Sequence, residues 1–214
     1  MLLFLLLLLP SALFTYFYFI KEKKFILQIS AGFVTAMIVC ACRFFFSYEH
    51  RLVYYAFAEN FFYYFVKQNF IPLVVVAAVY ALVSKDSLRY KISSFFPLMC
   101  SFFAVYLPYC VITASEYYYQ GYDIFLKPII YLAMLVQLSR SLNALYNAVT
   151  NRKGFMIFIH SVLILFYAVY PAVSDALYAI DFSFGLILII GLVYSLLPAV
   201  FFVLSLITKK TVAE

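Results

Sequence analysis

Long apolar runs alternate with short polar breaks along almost the whole chain. The runs lie at about 1–20, 25–47, 70–84, 92–114, 124–141, 155–174 and 184–207. A helix rises 1.5 Å per residue, so about 20 apolar residues cross the hydrocarbon of a bilayer. The pattern predicts an all-α, polytopic integral membrane protein of about seven transmembrane helices. The shortest run, 70–84, gains a turn if the helix begins at Val66.

The stretch SYEHRLVYYAFAENFFYYFVKQNF, residues 47–70, breaks the pattern. Spanning by 48–69 would put Glu59 and Asn60 near the bilayer centre, where a carboxylate costs about 2.5–3.5 kcal/mol. Helical spacing brings Glu49, Ala56, Asn60, Tyr63 and Lys67 near one face, and leaves Phe57, Phe61, Phe62 and Phe65 to enter the lipid boundary. The expectation is an interfacial helix over about 48–66, with a re-entrant hairpin as the competing geometry.

Charge supports that geometry and sets an orientation. With 48–69 on the outer surface, Lys21, Lys23, Lys24, Lys85, Arg89, Lys91, Arg140, Arg152, Lys153, Lys209 and Lys210 all face the cytoplasm. The outer loops 115–123 and 175–183 then hold Glu116, Asp123, Asp175 and Asp181 without a Lys or Arg. This is the positive-inside pattern, with the N-terminus outside and the C-terminus cytoplasmic, as in a bacterial cytoplasmic (inner) membrane. The first run has no basic residue ahead of it and three lysines behind it, which reads as a retained span rather than a cleaved signal.

Composition narrows the class. The 214 residues are 68% hydrophobic and 11% charged, too few charges for the polar shell of a soluble domain, so 1–214 is read as a single membrane domain. The net charge of +6 belongs to flanking topology signals, and nucleic acid is not an expected partner. Cys40, Cys42, Cys100 and Cys110 sit in apolar runs without metal-ligand spacing, and His50 and His160 fall on opposite sides, so neither a metal nor a cofactor is expected.

Prolines mark several spans. Pro72 and Pro128 fall in first turns, where a missing N–H costs little. Pro108, Pro171 and Pro198 lie deeper and would free the carbonyls of Ala104, Tyr167 and Tyr194. The spans opening at Pro72 and Pro128 each run into a basic loop, and the next spans close on Ala-Val-Tyr-Leu-Pro and Ala-Val-Tyr-Pro. This faint echo of helical hairpins is also what shared topology rules produce.

Ionisable residues within spans mark candidate sites. Arg43 lies at the outer edge of its helix, placed to snorkel to headgroups or to meet Glu49 or Glu59. Glu59 between aromatic runs could carry a proton or a cation, or pair with Lys67 or Arg43. The loop SEYYYQGYD sets tyrosines between Glu116 and Asp123, as an interfacial belt or an aromatic cage. The candidate ligand-binding set is Arg43, Glu49, Glu59, Tyr106, Asp123 and Lys127, on an outward-facing rim. A small permease, or the membrane-embedded substrate-binding subunit of a transporter, is the leading expectation. A seven-helix sensor signalling to a cytoplasmic partner, a membrane enzyme acting on a lipid-linked substrate at the outer face, and a structural subunit are the alternatives. The lipid bilayer, a small solute and further membrane or cytoplasmic subunits are the expected partners, and no motif points to catalysis.

Overall fold

The computed structural model describes residues 24–46, 56–83, 95–113 and 121–211, and every element among them is helical. We number the helices α1 (Lys24–Phe46), α2 (57–83), α3 (Phe95–Thr113), α4 (Tyr122–Thr150), α5 (Gly154–Ala179) and α6 (Phe184–Thr211). Five are long and apolar enough to cross a membrane: α1 through Ile26–Phe45, α2 through Phe57–Tyr80, then α3, α4 and α5. The sixth has a shorter apolar stretch, Phe184–Pro198. Large apolar side chains such as Met37, Phe45, Phe155, Phe158 and Leu196 point outward, as suits an integral membrane protein whose solvent is lipid. The expected first span 1–20 and the segment 47–55, with Glu49, lie outside the described residues.

α3 and α4 form the centre. Leu98, Met99, Phe102, Phe103, Tyr106 and Leu107 of α3 and Ile130, Tyr131, Met134 and Leu135 of α4 are completely buried. α1 lies along α3, α4 packs against α5 and α6, and the middle of α2 rests on α5. Lipid supplies no hydrophobic drive for helices to associate, so close packing must hold them together. Gly32 shows how close α1 comes: a Cβ there would collide with Ser101 Oγ and stand 2.6 Å from the Leu98 carbonyl oxygen.

The turns joining α4 to α5 and α5 to α6 are alike. Arg152 and Asp181 adopt φ of 52° and 53°, each just past a helix end. After α4, Lys153 N–H reaches the Ala148 carbonyl at 2.9 Å, and after α5, Phe182 N–H reaches that of Leu177 at 3.1 Å. Both are left-handed closures that satisfy the last carbonyls and reverse the chain within three residues after α4 and four after α5. They fix α4, α5 and α6 as consecutive antiparallel neighbours.

α2 departs from expectation. No interfacial helix ends near 66 before a new span starts at 70; one helix runs through Phe57–Tyr63, a π-helical segment Tyr64–Phe70, and Ile71–Val83. The penalty that argued against insertion assumed Glu59 at mid-membrane, whereas Glu59 occupies the first turn of α2 and is exposed. Pro72 is accordingly in mid-helix. Ile71 N–H bonds back to Val66 in the π register, and in that register Pro72 has no N–H to offer Lys67. The Tyr106 hydroxyl of α3 donates to that Lys67 carbonyl at 2.8 Å. Pro171 has the same remedy: the Tyr167 carbonyl it frees accepts the Tyr194 hydroxyl at 3.0 Å. A second π-helical segment, Tyr122–Leu126, comes just before Lys127-Pro128, so both prolines read as helix starts follow a widened turn.

The α1–α3 contact is testable by filling it. Gly32→Val should lower stability by about 1–3 kcal/mol, the usual cost of overpacking. At this chain length that is a fall of about 2–4 °C in the thermal midpoint per kcal/mol, read in detergent by circular dichroism. Gly185→Ala, at a position open to space, should leave the midpoint unchanged. Equal midpoints for both variants would rule out the tight crossing.

Candidate functional site

Lys127 is the single basic residue in the apolar first half of α4, and its surroundings explain how lipid-side burial is tolerated. Its Nζ lies 3.1 Å from Asp175 Oδ1 on α5 and 3.8 Å from Asp123 Oδ1, one turn earlier on α4. Lys127 is 5% exposed and Asp175 2%, so this pair is desolvated. Desolvation costs several kcal/mol per ion, and the pair persists only if the remaining lone pairs are also satisfied. They are. Tyr122 donates to Asp175 Oδ1 at 2.8 Å and lies 2.7 Å from Ser174 Oγ, and Tyr131 lies 3.2 Å from Asp175 Oδ2. The face of Tyr64, on α2, sits 5.7 Å from the ammonium, and Tyr178 stacks on Tyr122 at 4.3 Å.

Local geometry assembles this set. Asp123, Lys127 and Tyr131 recur every four residues along α4 and so share a face. The π-helical turn at 122–126 brings Tyr122 to the same partner. Such widened turns occur often at functional positions. The antiparallel turn at 151–153 returns α5 along α4, and Ser174 and Asp175 meet the beginning of α4 near the far end of α5.

The second polar cluster is across α2. Arg43, in the last turn of α1, donates to the Tyr106 hydroxyl and approaches Cys110 Sγ at 3.1 Å, both on α3. Its guanidinium carbon also lies 5.5 Å from the Tyr106 ring centroid. Tyr106 passes the connection on to the Lys67 carbonyl, so a hydrogen-bonded chain runs from α1 through α3 into the π-helical part of α2. Two residues further along, Asn69 enters the ion-pair cluster, its side-chain amide 2.8 Å from the Tyr131 hydroxyl.

Asn69 also forms part of a cavity wall. A cavity of about 520 Å³ lies among α2, α4 and α5, bounded by residues including Phe65, Phe70, Leu138, Leu142 and Ile164. Asn69 and Ser161 are the polar residues in its wall. Its walls are otherwise apolar, as in sites that hold hydrophobic ligands.

Of the residues singled out from sequence, the structure joins Arg43 to Tyr106 and Asp123 to Lys127. Arg43 meets a tyrosine rather than a glutamate, and Glu59 forms no salt bridge among the described residues. Glu49 lies outside those residues. Asp175 is corrected most: instead of opening an outer loop it is buried inside α5, which continues to Ala179. Tyr122 is likewise buried in the cluster rather than in a surface cage. The signal for Asp175 was present. A lysine in an apolar span needs a buried counter-charge, and the nearest acid by sequence, Asp123, is only one turn away and partly exposed.

Breaking the pair should cost more than removing it. Lys127→Met and Asp175→Leu should each destabilise the protein by about 3–5 kcal/mol, since each strands a buried charge. The double variant should lose clearly less than the sum. Thermal unfolding of the four proteins in one detergent measures this, and additive losses would show that the two charges do not act as a pair.

No family model matches this chain, and no curated protein or solved structure matches it either.

Proposed function

We propose that the protein is a membrane-embedded binding component of a transport system, a small permease or its substrate-binding subunit, which accepts an apolar solute carrying few polar groups. The observation that carries this reading is the double role of Asn69, which stands in the wall of the 520 Å³ cavity and in the hydrogen-bond chain to the Lys127–Asp175 pair. Occupancy of the cavity is thereby connected through one side chain and one hydroxyl to a buried charge cluster. The cluster holds one cation and two carboxylates, an arrangement that favours a proton or a cation arriving as the solute binds. Helices broken by Pro108 and Pro171 and widened at two π-helical segments supply places where the bundle can bend.

In this reading the polar cluster lies toward the outer face of a bacterial inner membrane, with the basic residues near 151–153 on the cytoplasmic side. Thiol labelling tests the orientation in a variant stripped of its four cysteines. Gly121→Cys should react with an impermeant maleimide from outside, and Asn151→Cys should not. The opposite pattern would invert the proposed topology.

Filling the cavity tests the function. Ala168 is in the cavity wall, and Ala168→Phe should displace any occupant. The native chain, released from mild detergent in a mass spectrometer, should retain added hexadecanol saturably, and Ala168→Phe should lose it. Uptake into proteoliposomes that the same substitution abolishes marks a permease; binding without uptake marks a binding subunit. Absence of saturable binding, or binding indifferent to Ala168→Phe, would remove the cavity from consideration.

A further inference from the structure

The cavity opens sideways because α2 leaves α5 partway along. Up to Phe70, the end of the π-helical segment, α2 lies against α5; from Ile71 onward it lies against α1 and α3 instead. The cavity occupies the gap that this parting leaves. Leu138 of α4 and Phe95 of α3, both buried, close its floor. Its mouth is a different surface. Phe70 and Val74 of α2 and Leu165 of α5 border the cavity and are 53%, 51% and 63% exposed. All three lie near the middle of their helices, so in a bilayer they meet hydrocarbon rather than water.

A mouth at that depth admits what the bilayer itself supplies, and Ser161 is the one exposed polar side chain in the wall. Charge at one end of the gap narrows the choice. α2 and α4 run the same way, with Tyr64 beside Lys127 and Asn69 beside Tyr131. The parted half of α2 therefore points to the end of the bundle where residues 151–153 join α4 to α5. Arg152 and Lys153 are exposed there and enter no salt bridge among the described residues. Along α5, Ser161 and Ala168 stand about 12 and 22 Å beyond Lys153. The hydrocarbon of one leaflet is about 15 Å deep, so a lipid with its phosphate at Lys153 lays its chain into the cavity. We infer that the cavity holds one acyl chain of an anionic phospholipid, drawn sideways from this leaflet, with the phosphate against Arg152 and Lys153. In the orientation proposed above this is the cytoplasmic leaflet. The inference rests on the cavity being a binding site and names its solute: the apolar chain enters, and the charged head group stays at the surface.

The chain contains no tryptophan, so Phe95→Trp puts a unique reporter on the buried floor of the cavity. The variant is reconstituted in phosphatidylcholine vesicles whose lipid is replaced stepwise by a chain-brominated lipid, which quenches tryptophan. Brominated phosphatidylglycerol should quench half-maximally at a mole fraction about tenfold below that of brominated phosphatidylcholine, given two basic side chains at the phosphate. Arg152→Gln combined with Lys153→Gln should remove the preference and leave quenching by phosphatidylcholine in place. Hexadecanol, competing for the same cavity, should relieve quenching by either lipid. Equal quenching by the two lipids in the Phe95→Trp parent, a preference that survives the double substitution, or quenching that hexadecanol does not relieve would overturn the inference. Should the double variant fail to insert, Lys153→Gln alone decides, and it should reduce the preference to about threefold. Quenching by neither lipid while hexadecanol still binds also overturns it, and a dimer in that sample would assign the gap to a second copy. Binding of neither lipid nor hexadecanol is a different failure, that of the cavity as a binding site.

Discussion

In a chain this apolar, every polar group within a helix bundle must find its partner inside the bundle. Water on the protein surface is not there to correct a shortage. Among the described residues, much of that requirement is met with tyrosine. A tyrosine hydroxyl reaches across a helix interface on an apolar ring, donates one hydrogen bond and accepts others. Tyr106 serves the Lys67 carbonyl and Arg43, and Tyr194 serves the carbonyl that Pro171 releases. Tyr122 and Tyr131 serve Asp175. Each of these rings is almost completely buried, so the same residue fills core volume and closes a polar account.

That use of tyrosine links the proline positions to the polar clusters. A proline in a membrane helix leaves a carbonyl wanting, and the widened turns before Pro72 and Pro128 move neighbouring residues out of ordinary helical spacing. Around Pro72 the result is a carbonyl turned to α3 and an Asn69 amide turned to α4. The irregular backbone and the polar side chains therefore coincide for a physical reason. Where the ladder is broken, polar partners have to be brought in, and where they are brought in, a charge can be held.

Much of this was legible in the sequence. The helical class followed from run length, and α1 and α3 begin and end within a few residues of the expected spans at 25–47 and 92–114. Arg43, Tyr106, Asp123 and Lys127 stood out because polar groups in apolar runs are expensive. What escaped was set by helix continuity. Hydropathy runs end where polar residues begin, so α4 was cut at 141 although it continues to Thr150, and Asp175 was cut off from α5. The same habit divided α2 at its polar middle, where Lys67, Gln68 and Asn69 follow one another. Gln68 and Asn69 are buried there, because in a bundle that face of the helix meets protein rather than lipid. Hydropathy does not distinguish these two surroundings.

The π-helical segment of α2 has a consequence for how this sequence can vary. Each residue of an ordinary helix turns the chain by about 100°, and a widened turn holds one residue more than the α-helical register allows. Loss of any one residue between 64 and 70 would let the backbone hydrogen bonds close up in regular order and would look harmless locally. The helix on either side would keep nearly the same relative rotation, because the widened turn had absorbed the extra residue, but residues inside the segment would change their facing. Lys67 and Asn69, which now look toward α3 and α4 from adjoining positions, could no longer both keep their partners. Along this segment single-residue deletions should therefore be far less tolerated than substitutions, even though the local backbone would be the more regular for them.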